Sequence, residues 1–289
     1  TNIKNRHFSW TTNFNIAFNK NKVLELAENQ SSLLSAAKFD QNYNSQYSYI
    51  AKVGYPMGMM YGFIYEGTYK YEDFDKVGDT YTLKRNVPYF SSESNTQPGM
   101  PKYADLNGDG IIDDNDRTMI GNGMPKHTGG FTNNFEYEGF DLSIFFQWSY
   151  GNDVLNANRL FFENSNKTRD LNQYASYADR WTPENPESNI PRATDSGSNK
   201  VFSTRIIEDG SFLRLKTVSL GYTLPKQLTK KWKIDNARVF VAGQNLWTCT
   251  GYSGYDPEVS IREGALTPGL DFSAYPRAYS ISFGINLGF

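Results

Sequence analysis

Oxygen-bearing side chains crowd one short stretch of this 289-residue chain: Asp105-Leu-Asn107-Gly-Asp109-Gly110-Ile111-Ile112-Asp113-Asp114-Asn115-Asp116. Acidic or amide residues at the first, third, fifth, ninth and twelfth places, with glycine at the sixth, match a calcium-binding loop. Ca2+ takes about six to eight hard oxygens, and the loop offers the side chains of Asp105, Asn107, Asp109, Asp113 and Asp116 plus the Ile111 carbonyl. Gly110 permits the sharp turn. Pro101 just upstream argues against a full helix-loop-helix hand, so the expectation is a lone loop, 105–116, that staples a longer connection around a structural Ca2+. A solvated acidic turn is the plainer alternative.

Other candidate chemistry is thinner. Asp256 and Glu258, in Tyr255-Asp-Pro-Glu-Val, have the residue types of a glycoside-hydrolysing carboxylate pair, but nothing sets them across a cleft, and Asp-Pro is first a turn initiator. His127 reads as a hydrogen-bonded loop residue just before a strand, and Cys249 as a small strand-end residue. One cysteine and two histidines make neither an intrachain disulfide nor a Cys/His zinc site. Trp181, Trp247 and Tyr255 have rings that can stack on sugars, with packing inside their own loops as the plainer reading. No catalytic constellation emerges, and the chain is read as a non-enzyme.

The elements that would carry these residues are strands of a particular kind. Tyr279, Ile281, Phe283, Ile285, Leu287 and Phe289 share one face of an alternating stretch, with Ser280, Ser282, Gly284, Asn286 and Gly288 on the other. Phe140, Leu142, Ile144, Phe146, Trp148 and Tyr150 repeat the pattern, and only Phe145 breaks their polar side. Upstream, Phe131, Asn133, Phe135 and Tyr137 share a face. A Glu138-Gly139 hairpin turn pairs Tyr137 with Phe140 and keeps both apolar sets together. Trp10 to Phe18, Met59 to Tyr65, Ser211 to Thr223, Arg238 to Trp247 and Tyr47 to Val53 bring the count to about eight strands, each near the length that crosses a bilayer at a tilt. A parity switch in 211–223 predicts a bulge near Lys216.

Composition supports the same picture. Trp 5, Tyr 20 and Phe 20 make the chain 16% aromatic at a mean hydropathy of −0.61, which fits strands with one greasy and one wet face. Single alternating strands also suit a sandwich, but sandwich cores favour Val, Ile and Leu, whereas these faces are rich in rings. Lys+Arg 29 against Asp+Glu 31 gives a net charge of −2, without the basic footprint of a nucleic-acid binder. The longest apolar runs, such as 143–146, fall far short of the roughly 18 residues a membrane helix needs. Polar connections at about 67–126, 151–208 and 249–275 are long enough to be functional, with short helices expected at 170–180 and 225–231. At the ends, Thr1 stands where an initiator methionine would, so a mature or truncated piece is expected, whereas Phe289 closes the chain inside its own alternation and reads as a natural end.

Several segments also resemble a known family. Val53-Gly-Tyr-Pro-Met-Gly-Met-Met-Tyr-Gly-Phe, Ala104-Asp-Leu-Asn-Gly-Asp-Gly, Pro125-Lys-His-Thr-Gly-Gly-Phe-Thr-Asn-Asn-Phe, Asp179-Arg-Trp-Thr-Pro-Glu-Asn-Pro, Phe212-Leu-Arg-Leu-Lys-Thr-Val-Ser-Leu-Gly-Tyr, Gly243-Gln-Asn-Leu-Trp-Thr and the closing Pro276 to Phe289 are similar, in order, to the C-terminal portion of SusC/RagA-type TonB-dependent outer-membrane transporters. The resemblance implies a barrel of about 22 strands around a plugged lumen, set in the outer membrane of a Gram-negative bacterium among its lipids. It also implies a SusD-like surface lipoprotein as cap, energy through TonB, and a glycan or peptide as cargo. Residues 1–289 would then be an all-β, antiparallel transmembrane barrel segment with long extracellular loops. The plug and the TonB-contacting part would lie outside the segment, and the terminal Phe289 would belong to the signal read during barrel assembly. Two alternatives stay open: a complete eight-stranded outer-membrane barrel, and a secreted, calcium-stabilised glycan-binding or hydrolytic β protein.

Overall fold

The computed structural model describes residues 1–41, 43, 45–164, 171–193, 201–262 and 264–289. Its largest element is a seven-stranded antiparallel sheet: β1 (Ile3–Lys4), β2 (Phe8–Phe18), β3 (His127–Tyr137), β4 (Phe140–Tyr150), β5 (Phe212–Thr223), β6 (Asn236–Thr250) and β7 (Ser280–Gly288). Spatial order follows chain order, so every strand pairs with its sequence neighbour. The sheet is open: β1 and β7 form its two edges. Among the described residues no helix is long and apolar enough to cross a membrane, and this says nothing of strands.

The register is the one the alternation predicts. Tyr137 pairs with Phe140 across the Glu138-Gly139 turn, where both residues take positive φ, 44° and 93°, as the right-handed twist of the flanking strands requires. Across β2 to β5, Phe14, Phe131, Phe146 and Leu215 then line up, and Leu220, Val241 and Phe283 do so across β5 to β7. The expected bulge is present, with pairing shifting between Leu215 and Thr217 against both neighbours. It switches side-chain parity and so keeps Leu213, Leu215, Val218 and Leu220 on one face. That face carries a polar cluster in which Trp10 Nε1 and Thr12 Oγ1 both donate to Asn133 Oδ1, at 3.0 and 2.7 Å. Without such partners those groups would be costly in apolar surroundings. At the short-turn end, 225–231 forms the expected helical stretch, α-helical over Lys226–Thr229 and 3-10 over Lys230–Trp232.

Two expected wall strands sit elsewhere. Tyr49–Lys52 and Met59–Gly62 are inner members of a separate four-stranded sheet with Ser32–Ser35 and Thr118–Asn122. The greasy parity read at 59–65 misled because the segment is buried on both sides. Met60 and Phe63 are both buried, and a Cβ at Gly62 would collide with the Phe202 carbonyl. The wall therefore holds six long strands and one short one. Its connections, 19–126, 151–211 and 251–279, fold into a body with its own core. Tyr43, Tyr49 and Met60 from the first connection meet Leu155, Leu160, Phe202 and Ile206 from the second and Leu270 from the third. A small sheet of Ile207–Asp209, Asp153–Asn156 and Leu270–Asp271 ties the second connection to the third. Glu163, buried there, accepts from Arg159 and Arg205 at 2.8 and 2.7 Å. Within the expected 170–180 helix a 3-10 turn forms at Ala175–Asp179, while Asp170 lies outside the described residues.

Candidate functional site

The polar face of the wall is lined by small neutral groups: Asn13 and Asn15 on β2, Thr132 and Asn134 on β3, Ser143 and Gln147 on β4, Ser219 on β5 and Ser282 on β7. Phe145 lies over Gly130. Phe240 covers Gly284, its direct cross-strand partner, where any Cβ would collide with the ring. Near the short turns, Arg238 forks onto Asp141, with Nε to Oδ1 at 2.8 Å and Nη2 to Oδ2 at 2.5 Å.

At the opposite end of the same face, Arg214 on β5 is 3% exposed. Its Nη2 donates to Asp256 Oδ1 at 2.5 Å, its Nη1 to Glu258 Oε2 at 3.1 Å and its Nε to Thr248 Oγ1 at 3.1 Å. Lys216 and Arg277 also reach Glu258, at 3.7 and 3.0 Å. Asp256 further accepts from the backbone N–H of Glu258 and of Arg277. Burial alone would raise the Asp256 carboxyl, but the hydrogen bonds from Arg214 and the two backbone donors outweigh it and hold the group below its ordinary value. The carboxylate pair named from the sequence is thus brought together, as the acidic half of a five-charge cluster with each acid neutralised by arginine. That suits fastening better than proton transfer. Between 257–260 and the wall lies a cleft of about 370 Å³ lined by Thr128, Gln147, Ser149, Glu258 and Val259 among others.

The sequence reading missed Arg214, Lys216 and Arg277. An arginine at a polar-face position of a wall strand needs a nearby anion, and that requirement was the available signal. Two further clefts on the body, of about 460 and 570 Å³, share Asn158, Tyr174 and Tyr255. Tyr255 stands at their rim. Trp181 instead is buried, packed over Gly99 and against Tyr71 and Arg192, and Trp247 is half-exposed on β6. His127 lies inside β3 rather than before it; its Nδ1 accepts from Trp148 Nε1 at 3.0 Å and its ring stacks on Tyr150. Cys249 is exposed near the end of β6.

The loop 105–116 is tightly self-bonded. Asp105 accepts from the N–H of Gly108 and Gly110, Asn107 from Asp109, and Asp109 from Ile111. Asp116, fully buried, accepts from Leu106, Asn107 and Asp113, and Asp113 accepts from Asn115. The Ile111 carbonyl belongs to the same loop. Among the described residues no three His, Cys, Asp or Glu side chains are grouped so as to hold a metal ion. The oxygens are spent first on backbone donors, and Asp116 Oδ1 alone accepts two of them.

No family model matches the sequence. Over its full length the chain is 33% identical to the TonB-dependent receptor P3 of Formosa agariphila, covering 100% of this chain and 27% of that protein. It is 25% identical to the TonB-dependent receptor SusC of Bacteroides thetaiotaomicron, covering 99% of this chain and 25% of the other. A chain of the RagAB peptide transporter matches in fold with a TM-score of 0.74 at 23% identity, over 99% of this chain and 28% of that one. The RagAB peptide importer in its open-open state gives 0.71 at 25% identity, over 99% and 27%. The chain thus spans about a quarter of the length of the relatives it matches. The fold expected from the sequence, an antiparallel β-barrel segment with long connections, is the fold these likenesses show.

Proposed function

We propose, for a chain homologous over its whole length to a stretch of the SusC/RagA-type TonB-dependent receptors, that it forms barrel wall and external loops of a nutrient importer in the outer membrane of a Gram-negative bacterium. The observation that carries this reading is the two-faced wall, with rings exposed on one side and neutral amides and hydroxyls on the other. Such a sheet is stable in a bilayer when every backbone group is paired, so the two open edges call for further strands of the same barrel. Glycans or peptides are the proposed cargo, a SusD-like lipoprotein the proposed cap, and TonB, acting through a more N-terminal part, the proposed energy source.

The test is to tag the full-length gene product in its host and fractionate the cells. The reading predicts recovery in the outer membrane together with a surface lipoprotein. Release into the medium as a detergent-free monomer would replace this reading with that of a secreted β protein.

For 105–116 we propose a structural Ca2+ held by Asp105, Asn107, Asp109, the Ile111 carbonyl, Asp113 and Asp116. The support is the residue pattern and the turn fixed by Gly110 (φ 84°). A chelator should then speed proteolysis within 105–116 of the intact transporter, with calcium restoring protection and Asp105→Ala abolishing the calcium effect. Unchanged cleavage on chelation would leave the loop a self-bonded acidic turn.

A further inference from the structure

We propose that residues 256–260 form a fixed strap across the inner face of the wall, that Arg214 is the residue that positions it, and that the strap limits the size of solutes reaching the wall behind it.

The strap lies on the polar face of the wall. Arg214 pairs across the sheet with Gln147 and Thr248, so its side chain leaves the polar face. Two acids from the third connection come to it there, Asp256 and Glu258. Asp256 binds one end of that connection and, through the Arg277 backbone N–H, the other. One carboxylate therefore pins the entry and exit of the segment to a single point on the wall. Farther along, Ile261 N–H donates to the Leu270 carbonyl at 2.9 Å, and Leu270 is fully buried in the core of the body. Anchored to the wall at one end and to the core at the other, the segment cannot swing away as a free loop. The cleft it leaves is lined on the wall side by Thr128, Gln147 and Ser149 and on the strap side by Pro257, Glu258, Val259 and Ser260.

The charges explain why the position is fixed. Three cations, Arg214, Lys216 and Arg277, surround two anions, and Arg214 alone contacts both with separate fork nitrogens. Lysine at 214 would keep the charge but lose the fork. The proposal rests on reading the polar face as the wall of a solute path, and the test separates the two ideas.

In the full-length transporter on intact cells, with Cys249→Ser to remove the native thiol, Gln147→Cys is labelled with a small membrane-impermeant maleimide and with a polymer-linked maleimide too large for the cleft. The expected result is fast reaction with the small reagent and protection from the large one. Arg214→Met should raise the large-reagent rate on the order of tenfold or more, as loss of a buried charge partner does to a local opening equilibrium, while leaving the small-reagent rate unchanged. Arg214→Lys should fall between. If Arg214→Met fails to assemble, Asp256→Asn loosens the strap from its other side and should give the same split. Equal access of both reagents with the native clasp would overturn the strap. No reaction with either reagent would overturn the solute path, and the strap with it.

Discussion

The wall and the body built from its connections bury their residues in opposite senses. In the body, Tyr49, Met60, Leu155 and Leu270 are sealed in a core drawn from three distant connections. In the wall, Phe283 is 82% exposed and Phe14 64%, while Arg214 is buried. A chain that folds wholly in water hides its largest rings and leaves its arginines wet. Here the core rings of the loops follow that rule, while the strands expose rings such as Phe283 and bury Arg214. On the proposed function the two regions answer to different solvents: the loops fold against water, and the rings of the strands would face hydrocarbon.

That contrast breaks if both regions respond alike to the same kind of change. Leu155→Ala removes a fully buried side chain from the body and should cost about 2–5 kcal/mol. Hydrogen exchange should show the body loosened while the wall keeps its protection. Phe283→Arg, near the middle of β7, should cost about 2–4 kcal/mol for refolding into lipid vesicles. At so exposed a site in a water-soluble protein the same change stays within about 0.5 kcal/mol, so a negligible cost in vesicles would erase the distinction. Gly284→Ala should cost about 1–3 kcal/mol, because the new methyl displaces the Phe240 ring. Gly251→Ala, with open space around it, is the matched control. The smallest effect expected is one of pH. Asp256 has a folded value below its ordinary 3.8, so its contribution is complete above that value and is lost as pH falls through the lower folded one. Exchange protection of 256–260 should hold from neutral pH down to that range and then fall, and Asp256→Asn should flatten the profile.

Much of the wall was legible because strand period and turn chemistry agree. The alternation of 140–150 and 279–289, the Glu138-Gly139 turn and the parity switch near Lys216 each specify a register, and the registers are mutually consistent. The body was hidden because its strands are short and buried on both faces, as at Tyr49 and Met60, where alternation has no meaning. The site was half legible. Asp256 and Glu258 stood out as paired acids, but their role depends on Arg214, some forty residues away, and a pairing across two connections leaves no local signature.

The central claim is that the ring-bearing face of the wall contacts lipid. Single spin labels placed in turn at each residue of 279–289, in the Cys249→Ser background of the full-length transporter in bilayers, measure it directly through collision with dissolved oxygen and with a water-soluble nickel chelate. The account predicts a two-residue period, with positions 281, 283 and 285 open to oxygen and shielded from nickel, and 282 and 284 the reverse. Rings shielded from both reagents, as inside a protein core, or equal nickel access on both faces, would contradict it.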